Sequence, residues 1–565
     1  MNLNEGISLR WAAFVLGFLV CTSGRMTGWA KSAQDVERWK TDPRLSEGQI
    51  APLLKGMGEH SHPVTTKSPG AQRFFDQGLN LIYGFNHAEA IRAFQEAARL
   101  DPNCAMAYWG MALAYGPNIN TPMGPENARK AYQAIQKARS LKSLASPPER
   151  AYIDALARRY SDDQDRDRHE LDKAYASAMA ELSRTYPDDL DAGTLHAAAI
   201  MNVNPWLGHE YWNKDGTPRE GTTEFVSILE SVIARSPNHP GGHHYYIHAV
   251  EASQAPELAL PSADRLGELM PGAGHIVHMP SHVYIRVGRY GDASASNVRA
   301  IAADEDYIVQ CSAQGIYPLG YYPHNIHFLW ASASREGRSA VAIDSARKVA
   351  SKVPEEDKEV ALRFLAPEFY ALVDFGKWDE ILAHPAPSKN VALKGIWHYA
   401  RGMALRALGE LEGASRELES LVEISRDRAI EGMRAQANAA STVLTIARHV
   451  LAGEIAAKKG DFDTAISHLD TAVRFEDGMV YTEPPDWNSP ARRYLGAVLL
   501  GAGRALEAEV VYWEDLRRNP ENGWSLFGLM QSLGAQGKKV LAADIEKRFE
   551  KAWADADVTL SASRF

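Results

Sequence analysis

At 565 residues the chain is too long for one compact core, which leaves several domains or an extended repeat array. Hydrophobic residues make up 45% and charged residues 23%, the balance of a folded chain rather than a disordered one. The formal net charge of −10 comes without a basic run, which excludes the electrostatic footprint of a nucleic-acid binder.

Residues 1–30 differ from the rest. Arg10 precedes an apolar run from Trp11 to Cys21, and small residues follow up to Gly28-Trp29-Ala30. This pattern predicts a secretory signal peptide and export to the periplasm or beyond. The run is short for a membrane span, so membrane contact is expected only through this leader. Cys21 lacks small residues directly before it, which argues against a lipid anchor. Beyond the leader only Cys104 and Cys311 remain, too few for a disulfide framework. Residues 31–70 form an N-terminal extension carrying Glu59-His60-Ser61-His62. Such an arm can fold back to supply His60 and His62 to a groove or to close it, and a plain leader tail is the alternative.

From residue 71 the sequence repeats itself. A glycine stands five residues before a small residue at Gly288/Ala293, Gly337/Ala342, Gly409/Ala414, Gly460/Ala465, Gly503/Ala508 and Gly537/Ala542, and Gly376 precedes Ile381 at the same spacing. Each pair lies between two amphipathic stretches, which predicts the turn of a helical hairpin: the glycine ends one helix and the small residue lets the next pack closely. Gly78, Ala90, Phe94 and Pro102 fall at further fixed offsets, as do Gly496, Ala508, Tyr512 and Pro520. Together these positions resemble the tetratricopeptide repeat (TPR), a 34-residue helical hairpin. Ala259 and Pro271 fit one such repeat and Ala293 the next.

The resemblance implies an all-α fold, a TPR-like α-solenoid of roughly ten to twelve hairpins with a concave groove. Residues 71–365 form an N-terminal array, 366–555 a C-terminal array and 556–565 a tail. Interruptions are expected at about 116–126, 202–221, 306–322 and 478–488. The first offers Asn118 and Asn120, and the last Glu483 and Trp487 with Arg493 just beyond, as possible substrate or lid contacts. The insertion around Trp206 and Trp212 is a further candidate wall.

Nine of the nineteen histidines lie between His239 and His327. His244, His248 and Glu251 are spaced i, i+4, i+7; His275, His278 and His282 are i, i+3, i+7; His324 and His327 are i, i+3. On helices each set shares one face. In the TPR resemblance the first helix of each hairpin lines the groove, and these eight residues fall on its groove-facing positions. Pro280 either kinks the second set's helix or starts a new one there. His239 and His243 fall outside the stripe, and His398, His449 and His468 belong to later hairpins.

Imidazole is the commonest side-chain ligand for transition metals, so the eight residues are candidate ligands for zinc, copper or iron. The absence of cysteine argues against a closed zinc finger. Phosphate loops, dinucleotide fingerprints, nucleophile elbows and haem-attachment motifs are all missing. The expected function is a metal centre in the groove, acting on a small molecule or peptide, with metal storage or delivery sharing the same site. The alternative is a non-catalytic scaffold for a protein partner, its histidines packed against Tyr245, Tyr246, Tyr284, Tyr321 and Tyr322.

Overall fold

The computed structural model describes residues 48–163, 165–204, 211–311, 317–353 and 361–565. The expected leader, residues 31–47 of the extension and Trp206 lie outside the described residues. The chain divides into two compact units: Met1–Ala249 with Leu269–Ala273 and Glu305–Gln314, and Val250–Glu268 with Gly274–Asp304 and Gly315–Phe565. Among the described residues there are helices and three isolated bridges but no strand, and no helix is long and apolar enough to cross a membrane.

In the first unit the helices run α1 (Pro69–Tyr83), α2 (His87–Leu100), α3 (Ala105–Tyr115), α4 (Pro125–Ser140), α5 (Pro147–Ala157), α6 (Arg168–Thr185), α7 (Leu190–Val203) and α8 (Thr222–Arg235), with α9 (Pro240–Val250) closing the run. Their starts are written locally. Ser68 and Asp189 cap α1 and α7 by accepting from backbone N–H groups, and Ser146 with Glu149 forms a capping box on α5. Phe94 on α2 fills the space left by two glycines: a Cβ on Gly78 or Gly110 would lie 2.6 Å or 2.4 Å from its ring. Side-chain bulk is moved from the first helices to the second, and the hairpins close on each other.

The second unit holds α10 (Leu260–Leu269) except its last residue, α11 (Gly274–His278), α12 (Pro280–Arg286), α13 (Tyr290–Cys311) up to Asp304, α14 (Tyr322–Arg335), α15 (Ser339–Ala350), α16 (Ala361–Asp374) and α17 (Trp378–Ala383). It ends with α18 (Val391–Leu408), α19 (Leu411–Ser425), α20 (Ala440–Lys458), α21 (Phe462–Gly478), α22 (Ala491–Gly501), α23 (Ala505–Arg518), α24 (Gly523–Ala535) and α25 (Lys539–Ala552). Pro280 resolves as a start: α11 stops at His278 and α12 begins at the proline. All seven turn glycines of the repeat pattern adopt positive φ, between 65° and 87°, a conformation that costs side-chain-bearing residues dearly. Their small partners from Ala293 to Ala508, and Ile381, are fully buried. The first helices α14, α16, α18, α20, α22 and α24 each pack on the next in the series, beside their own hairpin partners. That is the packing of a TPR-like helical-repeat fold.

Candidate metal centre

Three histidines from three helices of the second unit bring ligand atoms within 4.8 Å of one another: His278 at the end of α11, His282 on α12 and His324 at the start of α14. His278 closes one short helix and His282 opens the next, four residues on, so both rings project to the same side. Their Nε2 atoms lie 2.8 Å apart.

The opposite ring atoms are committed elsewhere. His278 Nδ1 lies 2.7 Å from Asn297 Oδ1 on α13, whose own amide nitrogen donates to Ala293 O, so the oxygen accepts and Nδ1 carries the proton. His282 Nδ1 lies 2.7 Å from Glu251 Oε2 and also contacts Glu483. Burial opposes protonation of His282, but Glu483 and Glu251 outweigh it and push its pKa up to about 10. Carboxylate or amide acceptors behind a histidine are what orients a metal-ligating ring and strengthens its other nitrogen.

His278 and His282 are buried, whereas His324 keeps partial exposure and forms the open side of the group. Beside it stands Arg363 on α16, whose Nη2 donates to His324 Nδ1 at 2.9 Å. Burial, the charge of Arg363 and the neighbouring histidines hold His324 well below its usual range. The predicted residue His327 turns away from this group, stacking on Trp330 at 5.1 Å and meeting Phe364 edge-on. His275 packs its ring 4.5 Å from Tyr321 and 5.9 Å from His278.

The late loop serves in two ways. Glu483 reaches His282 and also accepts from Tyr481, whereas Trp487 packs between Tyr370 and Tyr399. Arg493 is sealed in the core, paired with Asp374 and lying over Trp524. These last two residues support the hairpins, and only Glu483 joins the histidine group.

In the first unit His244 and His248 sit on α9 with ring centroids 5.0 Å apart, beside Phe85. His244 Nδ1 donates to the Tyr83 carbonyl at 2.5 Å. Asn118 and Asn120 form their own loop turn, with Asn118 also 3.3 Å from His87. His60 and His62 lie on the arm, which is laid along α1. Gln72, Gln77 and Asn80 bond the arm backbone at Val64, Leu54 and His60, and Asp76 accepts from the His62 N–H. Both rings reach Asp191 on α7, at 2.9 and 2.8 Å, where His239 and the Tyr83 hydroxyl also point. Burial raises Asp191, but these histidine donors outweigh it and hold its pKa well below the usual range. Since all four neighbours donate to it, Asp191 is the anchor of a charge network that ties the arm down.

Sequence reasoning missed Asn297, Asp191 and Arg363. Each is an isolated polar residue far along the chain from the histidines it meets, and no local spacing marks it.

Fold and site together define a TPR-like helical-repeat protein with histidine groups that can hold a metal. No protein-family model matches the chain, and no curated protein matches it. Among solved structures the chain is similar to the human IFIT1 dimer with m7Gppp-AAAA, at 12% identity and a TM-score of 0.28, covering 87% of this chain and 91% of that one. Yeast Tom70 matches at 10% identity and 0.28, covering 84% and 92%, and the Cut9–Hcn1 assembly at 11% and 0.28, covering 86% and 77%.

Proposed function

We propose that the chain is an exported TPR-like protein that holds one transition-metal ion on His278, His282 and His324 and uses it on a small molecule or peptide. The 2.8 Å approach of two Nε2 atoms carries this reading. Asn297 takes the His278 Nδ1 proton and Glu251 and Glu483 sit at His282 Nδ1, so once a cation displaces the proton between the two Nε2 atoms both of them can bind it. Zinc with bonds near 2.0–2.1 Å and tetrahedral angles sets such nitrogens about 3.3 Å apart, so loading needs a shift of roughly half an ångström. Three protein ligands with one partly exposed side suit an open, reactive coordination sphere better than a closed structural one. Zinc, copper and iron all accept imidazole, and the donor set does not choose among them. Export rests on the leader alone, and mass spectrometry of the native protein checks it, with a mature N-terminus near Lys31 expected.

A second reading rests on the raised pKa of His282. There a proton takes the metal's place, His282 donates to His278, and the chain is a scaffold for a protein partner. Metal analysis of the full chain purified without a histidine tag separates the two. Near-stoichiometric metal that survives dialysis supports the metal centre; no retained metal, and no uptake of added zinc, copper or iron, overturns it. Ready exchange without any turnover assigns storage or delivery instead.

A further inference from the structure

Arg363 is in an unusual position for an arginine. Its Nε is sealed from solvent without a hydrogen-bond partner, and its Nη2 donates to the imidazole of His324. Its side face rests on Phe364, 4.8 Å from the ring centroid. It makes no ion pair among the described residues. Among the described residues, the two acidic groups whose charge acts on it are engaged elsewhere: Asp486 accepts twice from Asn438, and Glu483 contacts His282 and Tyr481. A guanidinium removed from water without a contacting anion is costly, and burial does pull Arg363 down to about 10. Yet the residue as a whole is not sealed. Like His324, which its Nη2 touches at 2.9 Å, it keeps partial exposure, so guanidinium and imidazole lie side by side where the histidine group meets solvent.

Resting on the metal reading above, we propose that Arg363 is an anion-binding residue of the same site, and that the molecule handled there carries a carboxylate. One carboxylate oxygen pairs with the guanidinium while the other end of the molecule reaches the metal. Planar forked donors match a carboxylate edge. Asp486 and Glu483 lie close enough to act on Arg363 through space, and their field opposes a dianion, which favours a carboxylate over a phosphate. Binding also links the two ions. In the present arrangement Arg363 donates to a lone pair of His324, and an anion that draws the guanidinium off releases that nitrogen for the metal. Carboxylate and metal therefore strengthen each other's binding, by the same factor in both directions.

Cobalt(II) provides a readout independent of any turnover. The full chain, tag-free, is loaded with cobalt(II) and its visible d–d bands are followed while acetate is added, for the unaltered chain, Arg363→Met and Arg363→Lys. The expected result is a saturable band shift with acetate, needing at least tenfold more acetate in Arg363→Met and partly recovered in Arg363→Lys. If Arg363→Met fails to hold cobalt, the comparison is made with Arg363→Lys alone. Cobalt bands that ignore acetate, or that respond equally in all three proteins, overturn this inference and leave the metal centre standing. Failure of the unaltered chain to bind cobalt sinks the metal centre itself. Methyl phosphate acting at lower concentration than acetate overturns the carboxylate assignment.

Discussion

His278 and His282, four residues apart across the helix start at Pro280, meet Nε2 to Nε2 at 2.8 Å. If a metal belongs there, His278→Ala should weaken zinc or cobalt binding by at least a hundredfold with helix content unchanged. His324→Ala should weaken it too, and it also takes from Arg363 Nη2 its acceptor. His282→Ala removes the imidazole that meets both Glu251 and Glu483, so it should also destabilise the fold, by about 3–5 kcal/mol. His398, held by Glu417 on a later hairpin, is the control, and His398→Ala should leave metal binding alone. Titration calorimetry reads the affinities, and equal losses at His278 and His398 would sink the site.

The hairpin turns were legible because each depends on two residues five apart. A glycine with φ 80° at Gly288 and a fully buried Ala293 are local requirements that local sequence meets. The helical faces of the histidines were legible for the same reason. What spacing could not say is where a ring turns once packed. His327 shares its face with His324, yet Trp330 and Phe364 offer it an aromatic slot and it takes that. Trp487 and Arg493 looked like loop contacts, but Tyr370, Tyr399 and Asp374 draw them into the core. His468, placed on a later hairpin by the sequence, lies 3.0 Å from His449, which makes it a poorer control than His398. Asn297 and Arg363 were invisible because tertiary packing alone brings them to the histidines.

The repeat pattern can be tested at Gly496. A Cβ there would lie 2.4 Å from the Tyr512 ring, closer than real Cβ contacts allow, and Gly528 presses the same ring from its own helix. Gly496→Ala should therefore lower stability by about 1–3 kcal/mol through overpacking. Gly534 is also helical but has open space around it, so Gly534→Ala should be neutral or stabilising by up to about 1 kcal/mol. Thermal melts of the two variants decide the point, and matching shifts would mean that the Gly496–Tyr512 contact is not what holds these hairpins.

Asp191 should hold the arm. Replacing it with asparagine removes the charge that His60, His62 and His239 share and turns an amide donor toward some of their N–H groups. Asp191→Asn is expected to cost on the order of 3 kcal/mol. It should also speed hydrogen exchange at the His62 amide, which Asp76 now holds at 3.0 Å. The Leu54 amide, which donates to Gln77 Oε1 farther along the arm, should exchange as before. Exchange at His62 unchanged by the substitution would remove Asp191 from this role.

His87 should give the first unit a measurable acid sensitivity. Its Nδ1 lies 2.9 Å from the Ala114 carbonyl and its Nε2 3.3 Å from the Asn118 amide nitrogen, so the neutral ring donates on one side and accepts on the other. Burial, with the charge of Arg159 acting the same way, lowers its pKa to about 4. Between pH 6.5 and 4 the unfolded chain takes up a proton that the folded chain refuses, so stability falls as pH falls through that window and this contribution is constant outside it. The shift sets an upper bound of about 3 kcal/mol, reduced by the partial exposure of the residue. His87→Gln keeps a donor for Ala114 and cannot titrate. Urea midpoints measured from pH 7 to pH 4 should therefore fall less steeply in the variant than in the unaltered chain. Parallel pH profiles for the two proteins would show that His87 is not the group responsible.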